Sequence, residues 1–235
     1  MKIRLATPGD AASIAAIYNQ GIEERTATFE TALRSDEAIL EWFDDAHPVV
    51  VATDDADEVM AFARASEYSP RDCYLGVFEF AVYTEFSHRR QGAAMAAMRE
   101  LTTRARDAGA WKLVGKVFVD NEPCRMLMAS LGFREVGVHH RHAKLDGRWR
   151  DVVVVEKFLA PIGGELSVPP VPKRAPRDQI VLSLKSADAS ERQAALKAAR
   201  SFIDVHRKTD LDLLDAVADA CLASKLRDAS VRASF

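Results

Sequence analysis

Phe78-Glu-Phe-Ala-Val-Tyr-Thr84 is followed, four residues on, by Arg89-Arg-Gln-Gly-Ala-Ala94. The first stretch is aromatic and β-branched, as a buried strand is. The second opens an alanine-rich helix that runs to Asp107 and stops at Gly109. A strand-to-helix junction with arginines and a glycine presents unpaired backbone N–H groups and positive charge at one point. That is a place to hold a pyrophosphate. Gly92 lets the backbone come close, the helix dipole favours negative charge, and Arg89 and Arg90 add charged donors. An ordinary basic helix start looks the same over these six residues alone. Glu79 lies inside the strand that leads there, so a phosphate cradle adjoins a potential base.

Reading outward, Lys2 to Leu5 is a short strand, and Thr7 or Asp10 caps a helix with Ile14, Ile17 and Tyr18 on one face. Ser35 or Asp36 caps a second helix with Ile39, Leu40 and Phe43 as its apolar stripe. Val49 to Ala52 and Val59 to Arg64 form a strand pair. Beyond the central strand and its helix, with Met95, Met98, Leu101 and Ala105 inward, come a strand at Lys112 to Val119 and a helix at Pro123 to Ser130. Two strands, Arg134 to Ala143 and Asp151 to Phe158, close the series through a hairpin at Asp146-Gly147. This order predicts one mixed α/β domain over residues 1–160. Residues 161–177 read as a proline-rich linker. Residues 178–235 read as a small helical extension that buries little area alone.

With 235 residues, 48% hydrophobic and 29% charged, the chain has the composition of a packed globular protein. A net charge of −3 without a lysine- or arginine-rich block argues against nucleic-acid and anionic-membrane partners. Cys73, Cys124 and Cys221 are far apart, which fits neither a metal site nor a disulfide framework and points to the cytoplasm. No apolar run approaches a membrane span, and the N-terminus turns polar too early for a signal peptide.

Arg89-x-x-Gly92-x-Ala94 after Val82-Tyr83-Thr84 resembles the acetyl-CoA signature of the GNAT superfamily of N-acetyltransferases. Asn121-Glu-Pro-Cys-Arg-Met-Leu-Met-Ala-Ser-Leu-Gly-Phe133 is similar to the family's asparagine, short helix and leucine-glycine-phenylalanine ending. Ile3-Arg-x-Ala6-Thr-x-x-Asp10, Ile17-Tyr-Asn19, Thr28-Phe-Glu30, Arg71-x-x-Tyr74, Glu79-x-x-Val82-Tyr83 and Lys144-x-x-Gly147-x-Trp149-x-Asp151 resemble the phosphinothricin and arsinothricin N-acetyltransferase branch. The resemblance covers residues 3–158. It implies a GNAT fold, a mostly antiparallel sheet flanked by helices. It also implies acetyl-CoA as co-substrate, no metal, a small glutamate-like amino acid as acceptor, and a homodimer.

By that resemblance Val82, Tyr83, Thr84, Arg89, Arg90, Gln91, Gly92, Ala93, Ala94, Asn121 and Cys124 face acetyl-CoA. A backbone amide near Ala81 and Val82 polarises the thioester carbonyl. Asn121 stands where pantetheine passes, or caps a helix, or both. Cys124 replaces a serine near the cofactor, or, at a helix N-terminus, is a nucleophile. Glu79 is the expected general base, because an acceptor ammonium must lose a proton before it attacks. Burial between Phe78 and Phe80 is expected to raise its ordinary pKa of about 4.3. The other reading pairs Glu79 with Arg64 or Arg71, or turns it to solvent. Phe29, Arg71, Tyr74, Lys144 and Trp149 are the expected substrate contacts. Arg71 suits a tetrahedral anion or a carboxylate, or is a plain loop arginine. Lys144 and Trp149 complete a neighbour's pocket or pack on the surface.

Met128 occupies the position where many relatives carry a general-acid tyrosine, so the thiolate leaves unprotonated or takes a proton from water. Strand alternation puts His139 and His140 on opposite faces, with His142 beside His140, a poor metal site. Acetylation of a peptide or polyamine amine is a second reading. A third makes the helical tail an interaction module beside an acetyl-CoA sensor.

Overall fold

The computed structural model describes residues 1–43 and 46–159. In order they form β1 (Lys2–Leu5), α1 (Ala11–Glu24), α2 (Asp36–Leu40), β2 (Val49–Thr53), β3 (Val59–Glu67), β4 (Val77–Thr84), α3 (Ala93–Asp107), β5 (Lys112–Phe118), α4 (Glu122–Ser130), β6 (Arg134–Leu145) and β7 (Arg148–Phe158). The described residues divide between two compact units: Met1–Ser69 and those from Cys73 onward in the first, and Pro70–Asp72 in the second. The sheet belongs to the first. The expected linker, 161–177, and helical extension, 178–235, lie outside the described residues.

The seven strands form one sheet in the order β1-β2-β3-β4-β5-β7-β6. Every neighbouring pair is antiparallel except β4 and β5. This is the mixed, mostly antiparallel α/β architecture expected. Period-two alternation splits the core between the two faces. Phe78, Phe80, Leu113, Val117, Val153 and Val155 share one cluster with Ala97, Met98 and Leu101 of α3 and Met128 of α4. Val49, Val51 and Phe62 pack on the other face against Ile14, Ile17, Tyr18 and Ile22 of α1 and Ile39 of α2.

Local chemistry explains the element ends. Ser35 accepts a hydrogen bond from Ala38 N–H and starts α2. That helix ends three residues before Phe43, the last residue of its expected stripe: Leu40 is exposed, and Trp42, just past its end, is buried instead. Both α3 and α4 close with a Schellman motif. Ala110 N–H reaches Ala105 O and Gly109 N–H reaches Arg106 O; Phe133 N–H reaches Met128 O and Gly132 N–H reaches Ala129 O. Asp146 and Gly147 both take positive φ, 48° and 78°, as a two-residue hairpin turn requires. The hairpin is therefore tighter than expected, and β6 and β7 run up to the turn.

One face assignment in that hairpin is corrected. The β6–β7 register shifts between His139 and Ala143, and Arg141 takes φ 50°. This bulge resets the alternation. His142 consequently lies beside His139, ring centroids 5.1 Å apart, and His140 instead meets Asp151 at 2.8 Å. Among the described residues no group of three or more His, Cys, Asp or Glu is set to hold a metal. No described helix is long and apolar enough to cross a membrane.

Candidate active site

The β4–β5 ladder is short. It pairs only Val77–Glu79 with Lys112–Val114, although β4 continues to Thr84 and β5 to Phe118. The two strands therefore part at Glu79. On the β5 side of β4, Gly76 O accepts from Trp111 N–H at 2.9 Å and Lys112 N–H at 3.2 Å. On the β3 side, Glu85 N–H donates to Met60 O at 2.8 Å. Alternation then turns the peptide groups of Phe80, Val82 and Thr84 toward the parted side. Of the two residues expected to offer an amide there, Val82 faces the gap. Ala81 sits opposite Arg64 on the β3 side.

Glu79 occupies the last rung before the fork. Its neighbours Phe78 and Phe80 point to the opposite face, so they do not bury it. The carboxylate is half-buried, and Lys116 Nζ donates to its Oε1 at 2.7 Å. The pairing expected with Arg64 or Arg71 is thus made by a lysine of β5. Lys116 was missed in the sequence, where its only signal is a charge inside the otherwise apolar run Leu113-Val-Gly-Lys-Val-Phe118. Arg64 lies over the Trp42 ring, 3.9 Å from its centroid.

Beyond β4, Gln20 clamps the turn: its Oε1 accepts from Phe86 N–H at 2.9 Å and its Nε2 donates to Glu85 at 3.3 Å. Hydrogen bonds from Ser87, then His88, hold the Glu85 carboxyl down at about 2. Arg90 takes φ 61° and Gly92 φ 84°, which brings the chain into α3. No atom lies within 4 Å of where a Gly92 Cβ would stand, so its positive φ alone requires glycine. Ala96 N–H makes the first helical bond, to Gly92 O at 3.0 Å. The amides of Ala93, Ala94 and Met95 precede it and have no intrahelical partner. Gln91 donates to Ser87 O at 3.1 Å, Arg90 is exposed, and Arg89 is drawn to Glu24 of α1 at 2.7 Å.

Asn121 caps α4: its Oδ1 accepts from Cys124 N–H at 3.2 Å, while its Nδ2 donates to Thr26 O at 3.1 Å. It thereby ties the fork to the loop after α1. Cys124 is packed against the core, and burial pushes its thiol up to about 11. Desolvation wins over the helix N-terminus, which disfavours the nucleophile reading. Met128 is fully buried in the same core and presents nothing to the fork.

The loop that follows α1 is pinned by side chains. Asn19 and Arg34 exchange two hydrogen bonds, each 2.9 Å, and Phe29 stands edge-on to Phe118 at 4.8 Å. Tyr18 donates to Glu30 at 2.8 Å, and Arg34 grips both Glu30 oxygens at 2.7 and 2.8 Å. Burial by itself would raise the Glu30 carboxyl, yet Arg34 and Tyr18 hold it below the usual range. Tyr83 is partly buried, packed against Tyr18 with 4.7 Å between centroids and stacked on Phe62 at 5.5 Å. Burial, then Tyr18, pushes its phenol far above the ordinary value.

The remaining expected contacts are dispersed. Lys144 lies over the Trp149 ring at 4.9 Å, its cross-strand partner, on an exposed part of the hairpin. Tyr74 packs edge-on to Tyr68 at 5.8 Å. Arg71 belongs to Pro70–Asp72, outside the unit that holds the fork. Within the first unit, Glu79, Val82 and Thr84 thus lie along the β4 edge of the fork, Gly92 follows at the start of α3, and Asn121 and Phe29 lie by the end of β5. It does not bring Lys144, Trp149 or Tyr74 into contact with Glu79.

This site stands in an N-acetyltransferase fold: the chain belongs to the acetyltransferase (GNAT) family, whose model matches residues 14–133. It is 30% identical over 166 residues to an L-methionine sulfoximine/L-methionine sulfone acetyltransferase of Pseudomonas aeruginosa, covering 68% of this chain and 95% of the relative. It is 28% identical over 163 residues to a phosphinothricin N-acetyltransferase of Alcaligenes faecalis, covering 67% of this chain and 82% of the relative. A crystal structure of a GNAT superfamily phosphinothricin acetyltransferase from Sinorhizobium meliloti, in complex with acetyl-CoA, superposes with a TM-score of 0.66 at 25% identity, covering 72% of this chain and 96% of that one.

Proposed function

We propose that this protein transfers the acetyl group of acetyl-CoA to the α-amino group of a small glutamate-like amino acid. Phosphinothricin, methionine sulfoximine and arsinothricin are the acceptors to try, and detoxification is the role that follows. The observation that carries the reading is the position of Glu79 on the last β4–β5 rung, three residues before Val82 and the open peptide groups of the fork.

The open edge of β4 suits the amide-rich pantetheine arm, and the amides of Ala93, Ala94 and Met95, which have no intrahelical partner, suit the diphosphate. Asn121 and Cys124 border the same arm. Val82 N–H polarises the thioester carbonyl. Glu79 takes a proton from the acceptor ammonium, directly or through water. The amine nitrogen then forms a bond to the carbonyl carbon and loses its second proton to solvent as the carbon–sulfur bond breaks. CoA leaves as a thiolate with a pKa of about 8.5 and takes its proton from solvent. No covalent enzyme intermediate enters this path. The reading extends to a homodimer in the cytoplasm. The exposed Val136 and Val138 on edge strand β6 support a second copy there.

Thiol release with a panel of these amino acids tests the substrate class. Turnover of none of them sinks the reading. Glu79→Gln should lower kcat by orders of magnitude while acetyl-CoA still binds, and full activity in that variant sinks the base assignment.

A further inference from the structure

We propose that Lys116 and Glu79 together form a receptor for the zwitterionic head of an amino acid, with Lys116 taking the α-carboxylate and Glu79 the α-ammonium. This rests on the amino-acid reading above and makes Lys116 the residue that sets acid over amide.

Three observations support it. First, Lys116 and Glu79 share a face. The register Glu79↔Val114 puts residues 112, 114, 116 and 118 of β5 on the side of Glu79, Ala81 and Tyr83. Second, Lys116 lies two residues beyond the last β4–β5 rung, so it projects from the stretch where the strands have parted. The pair thus stands at the opening rather than inside a continuous ladder. Both side chains are part-exposed, 39% for Lys116 and 30% for Glu79, so an incoming ligand reaches them without unfolding anything.

Third, other cations of this region are already committed to carboxylates outside the chemistry. Arg25 is held by Asp146, Arg34 by Glu30, Arg89 by Glu24 and Arg150 by Asp120. The ion pair of Lys116 is with the carboxylate that the reaction uses. A cation beside that base is complementary to one kind of amine: one that carries an anion on the adjacent carbon. An amino acid satisfies both partners at once as it separates them, since its own carboxylate replaces Glu79 on Lys116 and its ammonium replaces Lys116 on Glu79. A peptide N-terminus or a polyamine has no such carboxylate and would leave Lys116 competing for Glu79. Phe29, partly buried and packed edge-on over the buried Phe118 further along the same face of β5, offers an apolar wall for the side chain.

The test compares L-methionine sulfone with its α-carboxamide, on the full chain, for wild type, Lys116→Met and Lys116→Arg. Wild type is expected to prefer the acid. Lys116→Met should lower kcat/KM for the acid about tenfold to a hundredfold more than for the amide, the loss of one charge-assisted hydrogen bond. Most of that should fall in KM. Lys116→Arg should restore much of the preference. An equal loss for acid and amide in Lys116→Met would overturn the proposal, because a lysine that only braces Glu79 affects every amine alike. An unchanged acid-to-amide ratio in a fully active Lys116→Met overturns it too. Wild type that acetylates the amide but not the acid overturns the amino-acid reading itself, together with this one. Wild type that prefers the acid while the variant keeps the preference overturns this inference alone.

Discussion

The ring of Phe80 lies over the bare backbone of Gly115, where an added Cβ would stand 2.4 Å from the ring's Cζ. The contact sits one residue past the last β4–β5 rung, on the face opposite Glu79. Phe80 is also 5.0 Å from Phe133, centroid to centroid, so the ring is held from the α4 side as well. The fork thus has an aromatic plug under one face and a charged pair on the other.

Gly115→Ala must push this ring into a filled core, and overpacking of that kind costs about 1–3 kcal/mol. Urea unfolding should show the loss as a lowered midpoint at an unchanged slope. Phe80→Leu in the same chain should recover part of it, since the two positions touch. An unaltered midpoint in Gly115→Ala would mean that the ring is not confined.

Cys124 should resist alkylation. With its thiol moved from 9.0 to about 11 by burial, the thiolate present at pH 8 falls roughly a hundredfold. Iodoacetamide followed by peptide mapping should label the exposed Cys73 well before Cys124. Cys124→Ser should keep turnover of the same order. Rapid labelling of Cys124, or a dead Cys124→Ser with acetyl-CoA still bound, would revive the nucleophile.

Stability should fall on the alkaline side. The Tyr83 phenol is raised in the folded chain, first by burial and then by Tyr18. Above its ordinary value near 10, the unfolded chain sheds the proton while the folded chain keeps it. The unfolded state then binds fewer protons, and the stabilisation present below pH about 10 is lost as pH rises. Tyr83→Phe should flatten that decline between pH 9 and 11 in urea titrations. Cys124 acts in the same direction from pH 9, so the flattening is partial. An identical slope in both proteins would show that the Tyr83 ring is solvated.

Much of the fold was legible because its signals are local. The strand of Val77 to Thr84, the helix started at Gly92, the stop at Gly109 and the turn at Asp146-Gly147 each depend on backbone preferences within a few residues. So does the cap at Asn121. Family membership was legible for the same reason, as its motifs are short runs at strand ends and helix starts. The pairing of Glu79 with Lys116 was not. It joins residues 37 apart in the chain, and it exists only because the parallel register sets Glu79 beside Val114 and then stops.

Burial was the other quantity that the chain order concealed. Glu79 reads as enclosed because phenylalanines flank it, but alternation sends those rings to the far side of the sheet. Cys124 reads as activated by a helix start, but the core of α3 and α4 desolvates it. The histidines read as alternating until a bulge at Arg141 shifts them. Secondary structure is governed by neighbours along the chain, and these residues declared it. The charge state and partner of a side chain are governed by neighbours across the sheet, which exist only once strand register and packing have been set.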